Sequence, residues 1–116
     1  MKWENFLEGN VIDYFEILKN NGTLTDKQFN AMKEFWETAI KLYPNLLTPA
    51  FGPCAHEEDY FLDWSFVNLP RKHFSITFSK EGNIDWFYRN EDFYDGNEEW
   101  WEKPTEEIYE LLKIWS

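Results

Sequence analysis

Asp63 and Asp85 are the paired carboxylates whose spacing suggests chemistry. On the outer strands of a three-stranded meander they would lie two strands apart across Thr77, about 10 Å from each other at the usual interstrand spacing. Inverting glycosidases hold an acid and a base ~6.5–9.5 Å apart, with one carboxyl kept protonated by its surroundings. Here the pair falls on a flat polar strand face, which reads as a solvated surface. Cys54-Ala55-His56, followed by Glu57 and Asp59, crowds metal-ligating residue types into one loop. A structural zinc site takes four ligands, generally as two spaced pairs, and this chain has one cysteine and two histidines. His73 falls on a strand elsewhere. As a nucleophile Cys54 has no identifiable activating partner, and it reads as a small loop residue packed against helices. Setting Gly96 at the invariant sixth position of a calcium loop puts Phe93 third, where it cannot ligate. No phosphate loop, nucleophile elbow or His-Glu-x-x-His motif occurs. The expectation is a protein that is not an enzyme and carries no metal or cofactor.

The elements that position these residues can be read from periodicity. Leu7, Val11, Tyr14, Phe15 and Leu18 share one helical face, and Asn21-Gly22 supplies a left-handed stop. Thr25 and Gln28 form a capping-box pattern, with Leu24 and Phe29 at the two positions of a hydrophobic staple. Phe29, Met32, Trp36, Ala39, Ile40 and Tyr43 continue as a stripe until Pro44. The two helices should lie as an antiparallel hairpin. Residues 45–59 read as a loop, punctuated by Pro49 and Pro53. Three period-2 segments follow: Tyr60 to Val67, His73 to Ser79 and Ile84 to Arg89.

Directly paired residues must point to one face, which constrains the register. A three-residue loop at Lys80-Glu81-Gly82 pairs Phe78 with Ile84, Ile76 with Trp86 and Phe74 with Tyr88, and puts Gly82 where a left-handed residue is needed. For the first hairpin, a loop from Asn68 to Lys72 pairs Phe66 with Phe74, Trp64 with Ile76 and Leu62 with Phe78. The expected fold is α+β. A helical hairpin and a C-terminal helix, begun near Pro104 and carrying Ile108, Leu111, Leu112 and Trp115, pack on one face of a three-stranded antiparallel sheet. A fourth short strand has room near Phe93 or Trp100. Residues 1–116 read as one domain: helical hairpin to 44, loop 45–59, meander 60–90, and an acidic aromatic segment with the terminal helix over 91–116.

Composition narrows the function classes. The chain has 116 residues, 21% of them aromatic, and a formal charge of −11. That charge disfavours direct binding to a phosphate backbone. No apolar run approaches the ~20 residues needed to span a bilayer, and no secretory signal pattern opens the sequence. With one cysteine, a reducing, cytoplasmic setting is the default. Residues 91–116 hold nine acids against two bases, so most of the net charge sits in the last quarter of the chain. Glu91, Asp92, Asp95, Glu98, Glu99 and Glu102 interleave there with aromatics that include Trp100 and Trp101, a surface suited to a partner rich in Lys and Arg.

The stretch from Asp59 through Asp95, with Leu62-Asp63-Trp64, the Phe74-Ser75-Ile76 strand, Gly82 and the aromatic third strand, resembles a meander of small uncharacterised bacterial and phage proteins. In size, acidity and lack of a catalytic signature the chain is similar to phage inhibitors of host defence, anti-CRISPR proteins among them. That resemblance implies a nucleic-acid mimic that masks a basic protein surface. A competing expectation is a small-molecule-binding domain or enzyme, its pocket between the Pro44–Asp59 loop and the sheet edge near Cys54 and His56. Charge repulsion between copies favours a monomer when free.

Overall fold

Local sequence signals set the end of the first helix and the start of the second in the computed structural model, which describes residues 11–53, 59–65, 71–96 and 104–116. Helix α1 (Val11–Asn20) buries Val11, Phe15 and Leu18, while Leu7 lies outside the described residues. It ends at Gly22, whose φ of 87° lets Thr23 N–H reach back to the Leu18 carbonyl at 2.9 Å. Helix α2 (Asp26–Leu42) opens on the expected capping box. The Gln28 N–H donates to Thr25 Oγ1 and the Thr25 N–H to Gln28 Oε1, both at 3.1 Å. Leu24 and Phe29 are both buried beside it.

Among the described residues, the sheet has five antiparallel strands in sequence order: β1 (Ala50–Pro53), β2 (Tyr60–Trp64), β3 (Lys72–Phe78), β4 (Ile84–Asn90) and β5 (Phe93–Gly96). The fold class is α+β, as expected, with more strands than expected. Strand β5 is the short strand anticipated near Phe93. Strand β1 falls in the stretch read as loop. Prolines 49 and 53 disguise it, yet an edge strand tolerates proline because one side of its backbone has no ladder partner. Phe51 anchors β1 inward, with its ring 5.1 Å from Tyr14 and 5.5 Å from Phe15.

Between β3 and β4 the register is the expected one: Phe78 opposite Ile84, Ile76 opposite Trp86, Phe74 opposite Tyr88. Gly82 sits at φ 84° and its N–H donates to the Ser79 carbonyl. Between β2 and β3 the expectation is off by two residues. Trp64 pairs with Phe74, Leu62 with Ile76 and Tyr60 with Phe78. A two-residue slip leaves every side chain on its correct face, so alternation alone could not exclude it. Trp64, Ile76 and Trp86 all point into the core, as expected.

Helices cover that inner face. Phe35, absent from the expected stripe, is fully buried at its centre, with its ring 6.2 Å from Trp64 and 5.9 Å from Phe78. Helix α3 (Glu106–Leu111) runs into a 3₁₀ turn (Leu112–Trp115), burying Ile108, Leu112 and Trp115. Leu47 is held from both sides: its carbonyl accepts the Trp64 indole N–H at 2.6 Å, and its N–H donates to the Trp115 carbonyl at 3.0 Å. Among the described residues, no helix is long and apolar enough to cross a membrane.

The two left-handed glycines differ in surroundings. A Cβ on Gly22 would meet nothing within 4 Å, whereas one on Gly82 would stand 2.9 Å from the Lys27 carbonyl oxygen. Gly22→Ala should therefore cost about 1 kcal/mol, the conformational term alone. Gly82→Ala adds a backbone clash and should cost roughly 2–4 kcal/mol. Equal losses in urea unfolding would contradict this docking of the β3–β4 turn on α2.

Candidate functional site

Glu91 and Asp92 open the acidic segment, and pairing between β3 and β4 brings two cations to them. Lys72 lies opposite Asn90 in the ladder, and the Glu91 N–H donates to the Arg71 carbonyl at 2.9 Å. Arg71 and Glu91 both adopt left-handed backbone, with φ of 64° and 57°. Arg71 contacts Asp92 and lies 3.9 Å from Glu91, while Lys72 Nζ lies 3.3 Å from Glu91. These exposed pairs are each worth about 0.2–1 kcal/mol, yet they neutralise both acids. Asp95 uses Oδ1 on its neighbour, the Gly96 N–H, at 2.8 Å. Glu98, Glu99, Trp100, Trp101 and Glu102 lie outside the described residues. Phe93 and Tyr94 are 58% and 55% exposed on the edge strand, and Arg89 stacks over Tyr94 at 5.2 Å.

The outer face of the sheet holds a carboxylate–imidazole pair. His73 Nε2 stands 2.9 Å from Asp63 Oδ1, and both atoms are sealed from solvent. Phe87 packs edge-on against the His73 ring at 5.7 Å. Asp63 and Asp85 do not share a row as expected: Asp63 lies opposite Ser75, and Asp85 opposite Thr77. The two-residue register difference between β2 and β3 is the cause. Asp85 is raised above the ordinary carboxylate value by burial and by the charge of Asp59. Cys54, His56 and Glu57 lie outside the described residues, and Asp59 is half-buried. Among the described residues, no group of three His, Cys, Asp or Glu side chains could hold a metal ion.

The hollows in the surface lie elsewhere, along the seam of α2 and α3. One of about 160 Å³ is bounded by Ala31, Glu34 and Phe35 of α2, by Gly82 and Ile84, and by Pro104 and Tyr109. The next, about 410 Å³, is bounded by Thr38, Leu42, Tyr43, Glu106, Tyr109 and Glu110. Tyr109 borders both hollows of this α2–α3 trough. Its ring is fixed by stacking on Phe35 at 5.3 Å with an interplanar angle of 21°. Burial pushes the Tyr109 phenol up, a Thr38 hydrogen bond draws it back, and the charge of Glu34 raises it further. The phenol therefore stays neutral. Among the described residues, the charged side chains lining the hollows are Glu34, Glu106 and Glu110, and no basic side chain lines either one. An aromatic floor under uncompensated carboxylates can hold a cation together with its aliphatic stem. Sequence reasoning assigned no site role to Glu34, Glu106 or Glu110. That they border the same Tyr109 ring depends on helix packing that no local pattern announces.

The Asp63 site carries a pH signature. Burial raises its carboxyl above the ordinary value of 3.8, and the charge of His73 and contact with it draw it part of the way back. Since the folded value exceeds the unfolded one, this group's contribution to stability is fullest below pH 3.8 and is lost as pH rises through the raised value. Asp63→Asn abolishes that loss, so its stability relative to the parent should climb with pH across this window in urea titrations. A pH-independent offset would contradict the sign. Comparisons of the chain with protein-family models, with characterised proteins and with solved structures find no match.

Proposed function

We propose that this chain is a non-enzymatic acidic binding protein that masks a Lys/Arg-rich surface of another protein. A nucleic-acid-binding surface is the partner chemistry it fits best, since such surfaces are built to receive closely spaced negative charge. The narrower form of the reading is the phage anti-defence inhibitor that the chain resembles in size and acidity.

The observation that carries the reading is the placement of charge. Where acids lie beside Arg71 and Lys72 they are neutralised within the chain. Around the α2–α3 trough, Glu34, Glu106 and Glu110 have no basic partner among the described residues, and they ring an apolar floor. Charge that only kept the chain dissolved would need no such floor. Carboxylates over aromatic rings suit a partner whose cations are desolvated on binding. The acidic run from Glu98 to Glu102 adds long-range steering, which speeds encounter without requiring contact.

Two outcomes are expected. Binding to a basic nucleic-acid-binding protein should weaken steeply between about 50 and 500 mM salt, and the chain should displace DNA from that protein in anisotropy titrations. Charge reversal at Glu98, Glu99 and Glu102 should slow association about tenfold and leave dissociation nearly unchanged, as measured by stopped flow. Failure to bind any Lys/Arg-rich protein at low salt would overturn the proposal.

A further inference from the structure

The trough between α2 and α3 combines carboxylates with apolar and aromatic groups in its lining. We infer that it takes one basic amphipathic segment of the partner, a Lys or Arg side chain lying along Tyr109 between Glu34 and the Glu106/Glu110 pair while an apolar neighbour covers Leu42. The inference rests on the masking function proposed above and names the part of the partner that is gripped.

Geometry supports a cation here. Glu106 and Glu110 stand four residues apart on α3, so they project from one face and repel each other by a few tenths of a kcal/mol. A cation between them relieves that repulsion. The larger hollow also lies against the last turn of α2, which ends at Leu42, and the terminal carbonyls there contribute partial negative charge. Lys41 occupies the same turn but does not line the hollow. Two carboxylates and a helix C-terminus thus act on the larger hollow, and Glu34 acts on the smaller one.

Geometry also supports an apolar companion. Leu42 is 54% exposed at the mouth of the larger hollow, beside Tyr43. About 410 Å³ exceeds what one guanidinium fills and leaves room for a branched aliphatic side chain. The smaller hollow, about 160 Å³, lies beyond the Tyr109 ring with Glu34 at its side and accommodates the head of a long cationic side chain. A segment with a basic residue and an apolar residue one helical turn apart, or two apart on a strand, would fill both.

The test is anisotropy titration of a labelled Lys/Arg/Leu peptide against the full chain at low salt, with spermidine as competitor. Glu106→Gln with Glu110→Gln should weaken peptide binding about tenfold. Leu42→Ser should also weaken binding, with the salt dependence intact. The control Asp13→Gln with Glu16→Gln alters charge equally on α1, away from the trough, and should change affinity less than about twofold. Far-UV circular dichroism checks that each variant folds, and peptide-induced shifts of the Tyr109 and Thr38 amides locate the site. If the peptide binds but the trough variants match the control, the inference is wrong and the masking function stands, its contact lying elsewhere. If no basic peptide binds, both fail. If spermidine displaces the peptide with equal affinity and Leu42→Ser has no effect, the trough is a small-cation site and the peptide reading is overturned.

Discussion

The side-chain amide of Gln28 does two jobs at once, and the arrangement of helix and sheet follows from it. Its oxygen receives the Thr25 N–H, closing the capping box that starts α2, and its nitrogen donates to the Phe78 carbonyl at 3.0 Å. Thr25 repeats the pattern: its hydroxyl accepts from the Gln28 N–H and donates to the Lys80 carbonyl at 2.6 Å. A capping box is ordinarily a local device worth about 1 kcal/mol. Here the same atoms tie the start of α2 to the end of β3 across 50 residues of chain. Only 1% of Gln28 is exposed, so leaving the Phe78 carbonyl without this donor would cost a further 1–3 kcal/mol or so. With that end pinned, Phe35 lies two turns on, about 10 Å along the same face, over Trp64 and Phe78. Its ring is the platform on which Tyr109 stacks. The trough inherits its position from a helix cap.

How much of this was legible in the sequence depended on what each signal could discriminate. The β3–β4 hairpin was readable in full because two independent constraints coincided: face parity excluded a two-residue loop, and Gly82 supplied the left-handed position. For β2–β3 only parity was available, and parity is blind to a slip of two. Strand β1 was hidden by the prolines that an edge strand can carry. The capping box was visible, but its tie to Phe78 was not, because a glutamine at a buried helix position looks the same in sequence as one in water. Phe35 escaped for a related reason. It extends the buried stripe one position to the side of Trp36, and packing against Trp64 and Phe78 of the sheet and Tyr109 of α3 makes that flank interior.

Charge was the harder inference. Glu91 and Asp92 look uncompensated in a window dominated by acids, yet Lys72 and Arg71, some 20 residues earlier, lie beside them. Extending the correct Phe74–Tyr88 register by two residues gives Lys72 opposite Asn90, so this neutralisation was implicit in a hairpin already read correctly. Glu34, Glu106 and Glu110 give no comparable signal. Glu34 is distant in sequence from Glu106 and Glu110, the two helices have no hydrogen-bond ladder between them, and all three border the Tyr109 ring because it stacks on Phe35.

Helix α3 shows why those acids are informative. It has six residues, too few to be stable alone, and carries like charges at Glu106 and Glu110 that weaken it further. Two acids in its first turn favour the helix dipole, but Glu110 lies in the last turn, where negative charge opposes it. The segment holds its shape because Ile108, Leu112 and Trp115 are buried beneath it, and burying side chains of this size contributes about 1.5–3 kcal/mol each. The core therefore sustains a helix whose outward charges work against it. A purely solubilising surface would spread those carboxylates among lysines, as α2 does with Lys27 and Lys41 beside Asp26 and Glu37. Concentrating acids beside an apolar trough, on an element that core packing must hold in place, makes mechanical sense when a positively charged partner completes the charge pattern from outside.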